Sequence, residues 1–103
     1  MMAPAILTVR RAALHFSGDI YQRYFSGLAS LILLRDGSDL VVMPVRHQAG
    51  GGYVIKLRNA SGDRTVDAAD FFRDNGIDDA VEMTLPSMWS DDRAALIAKG
   101  AFG

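Results

Sequence analysis

LASLILLRDGSDLVVMPVR, residues 28–46, is the stretch on which the fold turns. Leu28 to Arg35 is apolar almost without a break. Leu31 to Leu34 leaves no polar side, which predicts a strand buried on both faces. Asp36-Gly37-Ser38-Asp39 reads as a tight turn, because Asp-Gly tolerates the positive φ that hairpin connections require. Leu40 to Arg46 returns as the second strand. Pro44 has no amide hydrogen to donate, so this strand is expected at a sheet edge or at a bulge.

On the N-terminal side of this hairpin the chain begins with a strand over Ala5 to Val9, then Ala12 to Phe16 as a second strand or its continuation. Leu14 and Phe16 alternate inward there, with Ala13 and His15 outward. Ser17-Gly18-Asp19 supplies a helix start, with Ser17 or Asp19 accepting from free first-turn amides, and Ile20 to Ser26 is a short helix closed by Gly27. On the C-terminal side, His47 to Gly52 reads as a flexible loop and Tyr53 to Arg58 as an alternating strand. Asn59 to Gly62 is a turn leading to Arg64-Thr65-Val66. Asp67 is placed to cap a helix from Ala68 to Asn75, with Asp70 at the capping-box position. Ala80 to Leu85 forms a last strand stopped by Pro86. Ser90, the acids Asp91 and Asp92, Lys99 and Gly100 together predict a C-terminal helix over 90–99.

The sum is an α+β protein: a small, mainly antiparallel sheet or partly closed barrel of about six strands with three short helices. At 103 residues the chain is expected to be one domain over 1–103. Half of it is hydrophobic and it has no cysteine, which excludes disulfides, thiolate metal sites and a cysteine nucleophile. No apolar run approaches the roughly 20 residues of a membrane span. No positive charge precedes a long apolar segment at the start, so a cytoplasmic location is expected. The net charge of −1 conceals an uneven distribution: residues 1–66 carry eight Lys/Arg against four Asp, and residues 67–103 carry three against eight acids. Such asymmetry fits a polyanion surface, a basic partner or self-association.

A unit of strand, Asp cap, short helix with an aromatic pair (Tyr24-Phe25, later Phe71-Phe72), glycine and strand occurs twice, a candidate internal repeat over 12–46 and 62–86. The second copy, from Gly62-Asp63-Arg64-Thr65-Val66 through Gly76-Ile77 to Leu85, resembles the looped-hinge, swapped-hairpin unit of AbrB-type transition regulators and MazE-like antitoxins. The first copy contains Asp19-Ile20-Tyr21-Gln22-Arg23, which is similar to the Asp-x-x-x-Arg element of MraZ proteins, whose chains carry two such units. The resemblance implies a DNA-binding regulator or antitoxin.

Chemistry-bearing patterns are sparse. His15 and His47 have no neighbours that make a metal or triad motif, and the only Glu is Glu82. No catalytic residue, metal ligand or cofactor is therefore assigned, and the chain is read as a non-enzyme. Gly50-Gly51-Gly52 leads into a strand with no Lys-Ser/Thr following, unlike a phosphate loop. Asp78-Asp79 and Asp91-Asp92 lack the spacing of a calcium loop. Two surfaces remain. Arg46, Lys56, Arg58 and Arg64, with His47 beside them, form a basic cluster that would face phosphates if Arg46 and Arg58 pair across a hairpin; the alternative is ordinary edge protection. Met88, Trp89, Leu96 and Phe102 form an apolar tail suited either to a partner interface or to a core plug. The leading expectation is a small accessory or adaptor protein acting through protein–protein contacts as a homodimer, using this tail. The alternative is nucleic-acid binding through the basic cluster.

Overall fold

The computed structural model describes residues 3–46 and 52–103. Among them, nine strands and two helices follow one another: β1 Ala5–Arg10, β2 Ala13–Phe16, α1 Gly18–Tyr24, β3 Ser30–Asp36, β4 Asp39–Pro44, β5 Tyr53–Val54, β6 Lys56–Leu57, β7 Arg64–Asp67, α2 Ala69–Asp74, β8 Glu82–Ser90 and β9 Ala95–Ala98. Every pairing is antiparallel, and the sheet order is β5-β3-β4-β9-β8-β1-β2-β7-β6. The two ends of that order, β5 and β6, are halves of one segment divided only by Ile55. Tyr53 and Val54 pair with β3, Lys56 and Leu57 pair with β7, and the Ile55 amide donates to the Ala29 carbonyl at 2.8 Å. One kinked strand therefore serves both edges, and the sheet is a nearly closed barrel.

The element order strand, strand, helix, strand, strand runs through the chain twice, and the two runs interleave. β2 pairs with β7 and β4 with β9 across the middle, while β1 pairs with β8 as β5 pairs with β3. The helices cap opposite ends. Tyr21 of α1 lies under the Arg64 guanidinium at the start of β7, whereas α2 follows directly from the other end of that strand. Inward positions alternate along each strand: Leu7 and Val9, Leu14 and Phe16, Leu31 and Leu33, Leu40 and Val42, Val66, Leu85, Leu96 and Ala98 are all buried in one cluster. Phe25 and Phe72, at the ends of α1 and within α2, are its largest fully buried side chains. Each contributes about 1.5–3 kcal/mol by leaving water.

The expected α+β, antiparallel, partly closed architecture is present, with nine strands in place of six and two helices in place of three. The difference lies mainly at the C-terminus. The segment 90–99 is no helix: β8 runs to Ser90, residues 91–94 turn, and β9 returns. The helix-start signal was real but does another job. Ser90 Oγ accepts from the Arg93 amide at 3.2 Å, closing a turn that Ala94 completes at φ 50°. Pro86 does not stop β8. It sits opposite Ile6 of β1, and the β9 ladder begins only at Met88, so no partner waits for the missing amide. Pro44 is tolerated in the same way, because β4 is central but β9 pairs only with Leu40 to Val42.

Local chemistry explains the remaining adjustments. Ser17 caps α1, accepting from the Ile20 amide. Asp67 does not cap α2; it stays in β7 and its carboxylate accepts from Lys56 Nζ at 2.8 Å, while Asp70 accepts from the Tyr53 hydroxyl. Gly37 takes φ 62° in the β3–β4 turn, as its place in Asp-Gly-Ser-Asp requires. Gly52 is demanded by space: a Cβ there would lie 2.9 Å from the Leu31 carbonyl oxygen. Between β1 and β2, Arg11 and Ala12 both hold positive φ, 53° and 56°, a type I′ turn without the usual Asn-Gly.

Candidate functional site

Because directly opposed residues share a face of the sheet, the registers define what the barrel shows to solvent on each side. Across β3, β4, β9 and β8, the outward row is Leu34, Val41, Ile97 and Met88. Ile32 and Met43 form a second outward pair beside it. No charged residue interrupts the row. Leu34 is 42% and Met88 50% exposed at its ends, while Val41 is fully buried beneath its neighbours. Pro86 and the exposed Ile6, opposed in register, continue the apolar surface onto β1. A groove of about 550 Å³ runs over β8 and β9, floored by Pro86, Met88, Trp89 and Ile97 and rimmed by Asp39, Arg93 and Lys99. Arg93 is held over the groove's end by an ion pair to Asp36 at 2.7 Å.

The opposite side of the barrel, β8, β1, β2, β7 and β6, carries the outward row Thr84, Thr8, His15, Thr65 and Lys56. Arg10 and Asp67 lie in the adjoining row. His15 is half-buried, and its Nδ1 is buried without a hydrogen-bond partner. Burial lowers its pKa below the usual 6.5. The nearby Arg10 backbone opposes this, and the charges of Arg10 and Arg58 lower it further.

The four apolar tail residues separate. Met88 is exposed on the apolar face. Trp89 is half-buried at the barrel end, stacked on Tyr24 with ring centroids 5.4 Å apart and its Nε1 donating to Asp91 at 2.9 Å. Leu96 is not a contact residue: it faces inward with no exposed surface, because its register opposite Val42 puts it in the core. Phe102 packs at the other end of the barrel, edge-on to Phe71 and beneath Arg35. The basic residues also separate. Arg46 and Arg58 do not pair across a hairpin, since β4 pairs with β3 and β9 and the 53–57 segment with β3 and β7. Lys56 is engaged by Asp67, and Arg64 lies 3.9 Å over the Tyr21 ring with Nη1 donating to the Gly62 carbonyl. Arg46 and Arg58 are exposed; His47, Gly50 and Gly51 lie outside the described residues.

The acidic pairs have local duties. Asp79 receives Arg73 in a two-pronged contact, Asp78 accepts from the Ala80 amide, and Asp91 accepts from Trp89. Leu34 is the exposed apolar residue that the sequence reading missed. The signal was in the Leu31–Leu34 run, whose even positions lie outside the core: Leu31 and Leu33 are buried, Leu34 is exposed. No family model, curated protein or solved structure matches this chain. Among the described residues, no helix is long and apolar enough to cross a membrane.

Proposed function

We propose that this chain is a non-enzymatic, cytoplasmic adaptor that works through protein–protein contact, its first partner a second copy of itself. The observation that carries this reading is the uncharged row Leu34–Val41–Ile97–Met88 across four strands, beside a groove with apolar floor and charged rim. Exposed apolar residues gathered beside such a groove, Leu34 and Met88 with Ile6, mark an interaction surface. Its charged rim, with Asp39 against Lys99, can be matched by the same residues of a copy related by two-fold symmetry. Sedimentation equilibrium over a concentration series tests it. The wild type should show a monomer–dimer equilibrium, and the Leu34→Lys/Met88→Lys double variant should remain monomeric with its circular dichroism unchanged. A wild type that stays monomeric throughout, or a double variant that dimerises as before, would sink the reading.

A second reading, a DNA-binding regulator of the swapped-hairpin kind, is favoured by one observation: Arg10 and Arg58 place positive charge around His15. It ranks below the first because Lys56 and Arg64 are engaged within the chain. Fluorescence anisotropy with mixed-sequence duplex DNA at about 50 and 200 mM salt decides it, since phosphate-driven affinity collapses over that range. Absence of binding at the lower salt would remove it.

A further inference from the structure

The polar side of the barrel holds a second site that the adaptor reading leaves unused. The turn after β6 folds back over the end of β2: the Arg58 amide donates to the Asp63 carbonyl at 2.8 Å, and the Asp63 carboxylate accepts from the Gly18 amide and from Asn59. This fold-back borders an open surface depression of about 250 Å³ lined by Thr8, His15, Ser17, Arg58 and Asp63, with Ile6 and Phe16 as its apolar part. Its donors are a guanidinium, a hydroxyl from Thr8 and the imidazole. With Nδ1 buried, the Nε2 edge of the ring is the one left to the depression. The one acid in the wall, Asp63, accepts one N–H on each carboxylate oxygen, from Gly18 and Asn59, and keeps its negative charge, so the Arg58 guanidinium must outweigh it. Ser17 Oγ is likewise engaged at the helix cap. Arg58 has no ion-pair partner among the described residues. The volume falls just below the roughly 300–1,000 Å³ of whole-ligand pockets, the size for a charged head group with the rest of its molecule outside.

We propose that this depression binds a small oxyanion, a phosphate or carboxylate group of a small molecule, with Arg58 as its charged anchor and Thr8 and His15 as flanking donors. A guanidinium presents the forked N–H geometry that such groups accept bidentately. Bound anion would also favour protonation of His15 against the charges that face it, Arg10 on β1 and Arg58 in the turn, with Asp67 on β7 already acting in the same direction as the anion.

The probes are inorganic phosphate and acetate, titrated into the full chain and followed by amide and His15 ring resonances. Millimolar phosphate or acetate should shift Thr8, Ser17 and Asp63 amides saturably and raise the His15 pKa; the tighter of the two identifies the head group. Arg58→Gln, at an exposed position, should fold with an unchanged melting temperature and bind about tenfold more weakly or not at all. His15→Gln should weaken binding less and abolish its pH dependence. Absence of saturable shifts with both anions, or equal binding by Arg58→Gln, would overturn the proposal. So would phosphate being displaced by duplex DNA in a salt-sensitive manner, which would assign Arg58 to the nucleic-acid reading.

Discussion

The β3-β4-β9-β8 side and the β8-β1-β2-β7-β6 side of the barrel are built alike, from antiparallel strands centred on one pairing between the two halves: β4 with β9, and β2 with β7. Inside, both contribute leucine and valine to one core. Outside they diverge: Leu34, Val41, Ile97 and Met88 on one, Thr8, His15, Thr65 and Lys56 on the other. The inner faces are constrained by packing, so what distinguishes the two sides is written only in outward residues. The two sides therefore differ in what they present to solvent, one mainly apolar and one polar and charged.

The comparison breaks most readily at its inner–outer boundary. Leu96→Ala should cost about 2–5 kcal/mol in urea unfolding, because it empties a site in the core. Met88→Ala, one strand away on the outside, should change stability by no more than about 0.5 kcal/mol when measured at protein concentrations low enough to keep the chain monomeric. Equal losses would mean that the faces are wrongly assigned. Next in size is the β1–β2 turn at the tip of the polar side. Arg11 holds a left-handed conformation that costs a non-glycine residue about 1–2 kcal/mol. Arg11→Asn should recover about 0.5–1 kcal/mol, since Asn tolerates that region, and an unchanged urea midpoint would deny the strain.

A subtler effect should come from His15. Its folded pKa is lowered, so the unfolded chain binds the proton more readily. Stability from this group is complete above pH 6.5 and is lost as the pH falls from 6.5 through the lowered folded value. His15→Gln should flatten that part of the stability–pH curve, while a curve that keeps its slope would exonerate the histidine. Smallest of all is Lys56→Met. The Lys56–Asp67 pair is more than half exposed on both sides, so its loss should be worth a few tenths of a kcal/mol, about the value of a surface ion pair.

Much of this was legible in the residues. The helix start at Ser17-Gly18-Asp19, Asp36-Gly37 as hairpin turn and the inward alternation of Leu14 and Phe16 all follow from local chemistry; which of Ser17 and Asp19 caps the helix did not, and the structure gives Ser17. The failures have a common physical origin, in that one local signal serves two structures. Ser90 with Asp91 and Asp92 can start a helix or close a turn, and only pairing of Ala95–Ala98 with β4 and β8 decides. A proline ends a strand only if a neighbour needs its amide, which for Pro44 and Pro86 depends on ladders formed with distant residues. The Leu31–Leu34 run concealed the apolar outer face because continuous hydrophobicity does not say whether its second side meets core or partner. For the candidate sites, Met88 and Arg58 were visible as types. Their separation from Leu96, and from Lys56 and Arg64, became evident only from register and side-chain partners.

The interleaving of the two halves also sets an order of events in time. Ala5 finds its place beside Ser87, and β4 beside β9. A growing chain that has released only its first half thus has β2 beside β1 and β3 beside β4 but lacks the second neighbour of each, and must wait, with its leucine-rich hairpin uncovered on one side, until the last strands emerge. Such distant pairings place folding toward the slow end of small domains, in milliseconds to seconds. For that interval the hairpin that organises the finished barrel is the segment most in need of protection.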